Sequence, residues 1–300
     1  MTQTTSNTKT ALFAAWASIL AISSLPDIFF RELGGYTPAW LYGAKTGLLA
    51  LLLLAALGLK QLRPLRLFFA SALAIYILQW GVAKAFTAWN YTAWFAGMQP
   101  FQRDLFAVQL PRAITGGLLV LAMWALTGGF ARFFFVKGDL NAPAGPIPWI
   151  LTRPPAWRFL GPAIAGAMCL GLLAFTFIFG SLPSAGSFTN VLPLLPFVLL
   201  FAASNAFGEE ILYRAPWLSA LEGPTGPTQA LLMTAAYFGL GHFYGVPYGV
   251  TGVIMAFVPG WLMGKAMLET RGFFWSWLIH LSMDSVIFFL MALGSITPGG

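Results

Sequence analysis

The stretch LLALLLLAALGLK, from Leu48 to Lys60, contains only leucine, alanine and one glycine before the lysine that ends it. Such a run has no polar side to turn toward water, so it predicts a helix surrounded by lipid. The whole chain has a similar character, since 58% of its 300 residues are hydrophobic and 8% are charged. The sequence therefore predicts an all-α fold, a polytopic transmembrane helical bundle.

Crossing a membrane takes about 20 mostly apolar residues in helical form. Several segments of the chain meet this requirement, and between them they predict about eight to nine spans. The nine candidates are residues 10–30, 39–59, 65–86, 113–135, 159–181, 190–213, 228–244, 249–268 and 273–294.

Basic residues near the ends of these segments predict the orientation, because cytoplasmic loops carry more lysine and arginine than external ones. If the loops alternate, ten basic residues fall on one side of the membrane and four on the other, so we expect a cytoplasmic N-terminus. The first side holds Lys9, Lys60, Arg63, Arg66, Arg132, Lys137, Arg153, Arg158, Lys265 and Arg271, and the second holds Arg31, Lys84, Arg103 and Arg112.

Two segments do not have the composition of spans. Residues 87–112 mix aromatic and polar side chains, so we expect them to lie on the membrane surface. Residues 138–158 are rich in proline and predict a cytoplasmic linker. The linker divides the chain into an N-terminal part, residues 1–137, interpreted as scaffold helices, and a second transmembrane domain, residues 159–300.

Ionisable side chains inside apolar spans are costly and by default indicate function. The second domain contains six of them, and they include both histidines of the protein. The lone cysteine, Cys169, excludes a disulfide framework and a cysteine-based metal site. The six candidate site residues are Glu209, Glu210, Arg214, His242, His280 and Asp284.

Helical spacing sorts these residues into pairs. Glu210 and Arg214 are four residues apart, so they share a helix face and can form an ion pair. Glu209 points about 100° away from Glu210 and lacks that partner. His280 and Asp284 have the same four-residue spacing, which predicts that the carboxylate orients the imidazole.

Position along the helices predicts which residues meet. The turn EGPTGP, Glu222–Pro227, separates two spans, and Glu209 before it and His242 after it each stand roughly 20 Å from it at about 1.5 Å per residue. His280 lies roughly 12 Å along its own helix from the cytoplasmic end. We expect these three side chains to meet inside the bundle.

A carboxylate and two imidazoles in a pocket of low dielectric constant suit the activation of water. A protonated imidazole on a facing helix could then stabilise the negative charge that develops on an attacked carbonyl. The same three residues, Glu209, His242 and His280, would also suit a zinc ion with an open fourth position, so the residues leave the metal question open.

Three short motifs carry a resemblance to a known family. EEILYR (Glu209–Arg214) fits EExxxR, FGLGH (Phe238–His242) fits FxxxH, and HLSMD (His280–Asp284) fits HxxxN/D. In this order, on successive apolar helices, they resemble the CPBP family, which comprises CAAX prenyl endopeptidases of the Rce1 type and bacteriocin-processing or self-immunity relatives. The resemblance covers about residues 150–295.

The resemblance implies a glutamate-dependent intramembrane endopeptidase, a type formerly described as a metalloprotease, with residues 159–300 as its catalytic domain. Glu209 and His242 would activate water, His280 and Asp284 would stabilise the oxyanion, and Glu210 and Arg214 would be structural or orienting. At the last motif position an asparagine amide could donate a hydrogen bond, whereas ionised Asp284 cannot. The resemblance therefore leaves the role of this aspartate open.

Two other classes of function remain open from the residues. A proton-coupled transporter or channel would use the same groups as a relay, and a non-catalytic immunity or scaffold protein would hold them as a buried network. The motifs HExxH, GxSG and GxGD of other intramembrane proteases are absent. We expect a multi-pass protein of a bacterial or archaeal cell membrane that acts on a membrane-bound, C-terminally anchored or lipidated substrate, binds no nucleic acid, and has zinc as its one candidate cofactor.

Overall fold

The computed structural model describes residues 2–179 and 189–295, and within these ranges its regular elements are helices. An isolated bridge between Ile147 and Leu151 is the one β-type pairing in the described part of the chain. The all-α fold is therefore confirmed. The α-helices are α1 (Thr2–Ile22), α2 (Leu25–Gly34), α3 (Leu41–Gly58), α4 (Arg66–Ala88), α5 (Pro100–Thr127), α6 (Trp157–Phe179), α7 (Leu195–Tyr213), α8 (Ala215–Thr225), α9 (Pro227–Leu240), α10 (Val250–Thr270) and α11 (Phe274–Ser295).

Seven helical segments of the described chain are long and apolar enough to cross a membrane, and an eighth exists if α1 and α2 form one bent span. The protein is thus a multi-pass integral membrane protein. The seven segments are Leu41–Gly58, Arg63–Ala88, Pro100–Thr127, Trp157–Phe179, Thr189–Thr225, Val250–Thr270 and Phe274–Ser295. The side of the membrane on which each terminus lies stays a prediction from the basic residues.

One of the nine predicted spans, residues 228–244, is not found as a span. Its helix, α9, has 14 residues and ends at Leu240, which is shorter than the roughly 20 residues that a span needs. The chain then leaves helical geometry and forms a loop from Gly241 to Gly249. The apolar residues of this segment belong to a short helix that packs against α10 and does not cross the membrane.

The first span is bent by 47° between α1 and α2. The bend frees carbonyl groups at the end of α1, and buried carbonyls need hydrogen-bond donors. Lys45 on α3 donates to the carbonyl of Ser23 at 2.6 Å and also pairs with Asp27 on α2. Tyr76 on α4 donates to the carbonyl of Ile22. The bend is therefore held by side chains from two neighbouring helices.

Helix α5 begins much earlier than the sequence predicts. The expected surface segment, residues 87–112, and the expected span, residues 113–135, are both corrected, because α5 runs unbroken from Pro100 to Thr127 with Pro111 inside it. Of the expected surface segment, only residues 89–99 lie outside the α-helices, and they include a 3-10 turn at Tyr91–Phe95.

Proline normally interrupts a helix because it lacks the N–H that would bond to the carbonyl four residues earlier. In α5 the carbonyl left free by Pro111 belongs to Ala107, and the hydroxyl of Tyr91 donates to it. Such replacement of a lost backbone bond by a neighbouring side chain is what allows proline inside membrane helices. A contact from another part of the chain thus keeps α5 intact.

Replacing Tyr91 by phenylalanine should therefore lower the free energy of unfolding by about 1 kcal/mol, because the Ala107 carbonyl would lose its partner. Thermal unfolding of the purified protein in detergent measures this effect as a lower midpoint. Tyr36→Phe makes the same chemical change at an exposed position and should leave the midpoint unchanged. Equal midpoints for both variants would show that the Tyr91 hydroxyl does not support α5.

The helices that build the second half pack closely around one another. Helix α11 packs against α6 and α7, α10 against α9, and α7 against α5. Helices α9 and α10 approach so closely at Gly239 that a Cβ atom there would lie 2.8 Å from the carbonyl oxygen of Val253. This packing brings side chains of α5, α7, α9, α10 and α11 to one interior space.

The proline-rich segment 138–158 is hydrogen-bonded to the C-terminal end of α10. The Asp139 amide donates to the Thr270 carbonyl at 2.8 Å, and Glu269 accepts hydrogen bonds from the Gly145 amide and the Trp157 indole. One hydrophobic core cluster extends from Ala11 to Leu268 and so includes residues from both predicted parts of the chain. The division at the linker stays an interpretation of the sequence.

Candidate active site

A cavity of about 660 Å³ lies among α5, α7, α9, α10 and α11. Four of the six candidate residues, Glu209, His242, His280 and Asp284, line it. Most of the remaining wall is apolar and includes four methionines, whose flexible side chains suit a variable apolar partner. These are Met255, Met263, Met283 and Met291. The structure therefore brings both histidines and Glu209 to one apolar space, whereas Glu210 and Arg214 do not line it.

Glu209 has partners on both of its carboxylate oxygens. Arg112 Nη1 lies 3.0 Å from Oε1, and His280 Nε2 lies 3.5 Å from Oε2. The Glu209 side chain is 13% exposed, so it is largely enclosed but still reachable from the cavity. The unpaired carboxyl of the sequence pattern thus has a cationic partner on α5 that the pattern did not reveal.

Glu210 and Arg214 form the ion pair that their spacing predicts. Their side chains are 0% and 1% exposed, and the Ser276 hydroxyl also donates to Glu210. The Arg214 guanidinium stands over the Phe238 ring at 4.8 Å, a favourable cation–π distance. The same ring packs at 4.6 Å against His242, so it separates the ion pair from that histidine. This pair supports the cavity wall.

His280 is oriented by Glu210, which differs from the expectation that Asp284 does so. The distance from His280 Nδ1 to Glu210 Oε1 is 2.9 Å, whereas Nε2 lies 3.7 Å from Asp284 Oδ2, beyond hydrogen-bonding reach. Because an ionised carboxylate only accepts, Nδ1 must carry the proton. Nε2 therefore faces Glu209 Oε2 at 3.5 Å and Asp284 Oδ2 at 3.7 Å.

His242 lies just beyond the C-terminus of α9. Its Nδ1 is 2.8 Å from the Phe238 carbonyl oxygen, so Nδ1 carries the proton and Nε2 holds the free electron pair of the neutral ring. The loop that follows is tied to α2, because the hydroxyls of Tyr244 and Tyr248 both donate to Glu32. His242 therefore lines the cavity with a basic ring nitrogen, and the loop that follows it is held to α2 by two hydrogen bonds.

Three polar residues of the site were missed by the sequence interpretation: Gln109, Arg112 and Asn205. The Asn205 side-chain oxygen accepts hydrogen bonds from Gln109 Nε2, at 2.9 Å, and from Arg112. Its amide nitrogen donates to Asp284 Oδ2 at 3.0 Å. This network joins α5 to α7 and α11 beside Glu209.

Of these three residues, only Asn205 could have been recognised as a site residue from the sequence. Asn205 stands four residues before Glu209 in an apolar helix, so a polar side chain on the same face could have been recognised. Gln109 and Arg112 fell in the segment assigned to the membrane surface. The continuity of α5 through Pro111 depends on Tyr91, and no local pattern indicates that contact.

Two observations bear on the zinc ion that the sequence offers as a candidate cofactor. In the part of the chain that the structure describes, no group of three or more His, Cys, Asp or Glu side chains is arranged as a metal site. The Arg112 guanidinium lies at Oε1 of Glu209, so its positive charge would weaken the binding of a dication at the remaining oxygen, Oε2. Zinc on Glu209, His242 and His280 stays a prediction from the sequence.

Residues 190–286 match the family model described as Type II CAAX prenyl endopeptidase Rce1-like. The protein carries an Rce1-like domain. It is accordingly a CAAX-type membrane endopeptidase, and its substrate is a membrane-associated protein. No similar curated protein and no similar solved structure was found.

The Rce1-like domain comprises α7 to α10 and the larger part of α11. All six residues chosen from the sequence lie inside it. Gln109 and Arg112 lie outside it, on α5, although they contact Asn205. The cavity is therefore lined mostly by the Rce1-like domain, with further residues from α5, from Leu172 on α6 and from the end of α11.

Proposed function

We propose that the protein is a glutamate-dependent intramembrane endopeptidase in which Glu209 and His242 activate the water that attacks a peptide bond. The observation that carries this proposal is that Glu209, His242 and His280 line one largely apolar cavity, while Glu210 and Arg214 are buried behind it. A carboxylate and an imidazole with a free nitrogen electron pair are the groups that general-base catalysis uses.

In the proposed reaction a water molecule lies between Glu209 and His242. One of these bases takes a proton from the water while the water oxygen attacks the substrate carbonyl carbon. The tetrahedral intermediate then collapses, the C–N bond breaks, and the same proton passes to the leaving amine nitrogen. The products are a new carboxyl terminus and a new amino terminus.

The oxyanion of the intermediate needs donors on the opposite side. Protonated His280 supplies Nε2–H, and the Glu210 carboxylate at Nδ1 stabilises the positive ring. Asn205 supplies a second donor, because its amide has two N–H groups and Asp284 accepts from one of them. In this assignment Asp284 orients the Asn205 amide, which takes the place of the asparagine of the family motif.

We also propose catalysis without a metal ion, since the positive charge of Arg112 beside Glu209 would repel a dication there. The purified enzyme should keep its cleavage rate, within about twofold, after dialysis against a strong zinc chelator, because transition-state stabilisation here comes from fixed donors. Elemental analysis of the same sample should find less than one zinc ion per protein. Loss of activity on chelation with recovery on zinc addition would contradict this part of the proposal.

The proposed substrate is a membrane-anchored, lipidated or secreted protein that is cut at a peptide bond near the membrane. Mass spectrometry of protein termini in membranes from cells with the wild-type or the Glu209→Gln protein tests this directly. We expect a set of new termini that depends on wild-type Glu209 and that identifies the cleaved bond. Identical termini in both cell lines would overturn the proposal.

A further inference from the structure

A short hairpin with an exposed tip lies inside the proline-rich segment. Ile147 and Leu151 pair through two backbone hydrogen bonds of 2.8 and 3.0 Å, and the Ile150 amide closes a turn on the Ile147 carbonyl at 3.1 Å. Pro148 and Trp149 occupy the two central positions of that turn. The Trp149 side chain is fully exposed and Ile150 is 72% exposed. The tip of the hairpin therefore presents two large apolar side chains.

The backbone of Trp149 has a conformation that large side chains rarely adopt. Its φ is 62°, in the left-handed region, and the third position of a β-turn with such a φ ordinarily takes glycine or asparagine. Packing inside the protein does not offset this strain, because the side chain is fully exposed. Strained residues of this kind are concentrated at functional positions. The conformation of Trp149 thus indicates that its side chain has a partner outside the chain.

The base of the hairpin is fixed to the rest of the protein. Ile147 is 5% exposed and belongs to a hydrophobic cluster that includes Trp157 and Trp275. The segment is hydrogen-bonded to the end of α10 and continues directly into α6, and both helices are long and apolar enough to cross a membrane. The tip is therefore held at the level where two spans end, which is the membrane–water interface.

Two arginines follow the hairpin. Arg153 stands two residues after Leu151, and Arg158 lies in the first turn of α6 with its guanidinium 4.7 Å from the ring centre of the exposed Phe159. Both arginines are exposed, and neither forms an ion pair with an acidic side chain of the described residues. Exposed aromatic groups beside unpaired arginines are typical of segments that lie among lipid headgroups.

The acidic side chains at this end of the bundle do not neutralise its positive charge. Glu269 pairs with Lys265 and Glu222 pairs with Arg271, which leaves Asp139 as the one acidic residue of this end without an ion pair among the described residues. Four basic residues of the same end also lack an ion pair within the described ranges: Arg132, Lys137, Arg153 and Arg158. The surface around the hairpin is therefore positive and complements an acidic partner.

We infer that the hairpin of residues 146–151 inserts its apolar tip into the membrane leaflet on its own side, and that Arg153 and Arg158 bind the headgroups of acidic lipids there. A tryptophan suits this position, because its ring favours the apolar side of the interface while its N–H can donate to headgroups or water. The occupant is the surrounding bilayer, since the tip lies where the spans end and basic residues there attract acidic lipids. The inference does not depend on the proposed function.

The test places a dye at the tip of the hairpin in the full-length protein, reconstituted in lipid vesicles. Ile150→Cys, in a chain whose lone cysteine is removed by Cys169→Ala, carries the dye and leaves Trp149 in place. The vesicles contain a spin-labelled lipid that quenches the dye, either phosphatidylglycerol or phosphatidylcholine at the same fraction. We expect quenching by both lipids and a preference for the acidic one of about fivefold, as one arginine contributes about 1 kcal/mol near an acidic surface.

Two sets of variants separate charge from apolar contact. Arg153→Gln combined with Arg158→Gln should reduce the preference for the acidic lipid to within about twofold, because the attraction comes from these charges. Leu33→Cys with the same dye is the matched control, since Leu33 is 74% exposed but lies beside one residue of each charge, Arg31 and Glu32. A dye there should show no preference between the two lipids.

Trp149→Gly, added to the dye-labelled reference protein, separates membrane contact from a structural role. Glycine adopts a positive φ without strain, so the midpoint of thermal unfolding in detergent should not fall. Quenching of the dye should nevertheless weaken about fivefold, as expected when about 1 kcal/mol of apolar burial in the membrane is lost. A lower midpoint with unchanged quenching would show that Trp149 supports the fold, and would contradict the inference.

The inference would also be overturned if neither lipid quenched the dye at Ile150, or if the two lipids quenched it equally. Retention of the full preference for the acidic lipid after loss of Arg153 and Arg158 would exclude these arginines as the lipid contacts. An emission that changed with the number of protein copies per vesicle, without quenching by lipid, would assign the tip to a second copy of the chain instead.

Discussion

Glu209→Gln is expected to lower the rate of peptide-bond cleavage by about 10³-fold while leaving the protein folded. The amide has the size of the carboxylate, but it cannot take a proton from water, and a positioned general base typically contributes 10²–10⁴-fold. The amide oxygen can still accept from Arg112, whose Nη1 lies 3.0 Å from Oε1 in the wild type. Rates are measured with purified protein and saturating peptide, so that the effect appears in kcat.

Glu222→Gln is the matched control for this variant. Glu222 also forms an ion pair, with Arg271, but it lies in the last turn of α8 and does not line the cavity. The control should cleave within about twofold of the wild-type rate, because an exposed ion pair contributes at most about 1 kcal/mol to stability and nothing to the chemistry. If both glutamine variants retained wild-type rates, Glu209 would not be the base.

The second large effect is expected for Arg214→Met. Its guanidinium is 1% exposed and pairs with Glu210, which is 0% exposed. Removing one partner of a buried ion pair leaves an uncompensated charge, which typically costs about 3–5 kcal/mol. The Arg214→Met protein should therefore unfold at a much lower temperature than the wild type in detergent, with less folded protein recovered from membranes.

Two further variants distinguish this cause from a loss of packing. Glu210→Gln combined with Arg214→Met removes both charges, so the double variant should unfold at a higher temperature than Arg214→Met alone. Arg271→Met breaks an exposed pair and should shift the midpoint little. A double variant as unstable as the single one would show that the guanidinium stabilises the wall by packing on Phe238 rather than by charge.

Much of the membrane architecture follows from the sequence alone, because a span requires about 20 apolar residues whatever its neighbours are. The ion pair of Glu210 and Arg214 follows for a similar reason, since a four-residue spacing on a helix determines which side chains are adjacent. The meeting of Glu209 with His242 in one cavity was predicted from equal distances to the intervening turn. These inferences need only the regular geometry of a helix, which relates positions in the sequence directly to positions in space.

The parts that sequence could not predict depend on contacts between distant residues. The length of α5 depends on the Tyr91 hydroxyl, which lies sixteen positions from the carbonyl that it bonds. The orientation of His280 depends on Glu210, seventy positions away, rather than on Asp284, its neighbour on the same helix. Spacing shows which residues can interact, whereas packing decides between competing partners.

The central claim is that Glu209 and His242 act on the same water molecule, and a double-variant experiment tests it most directly. Cleavage rates are compared for the wild type, Glu209→Gln, His242→Gln and the combined variant with one peptide. Residues that act as a unit have strongly non-additive effects, so the combined variant should be within about threefold of the slower single variant. Rate losses that multiply in the combined variant would contradict the claim, because the two residues would then act independently.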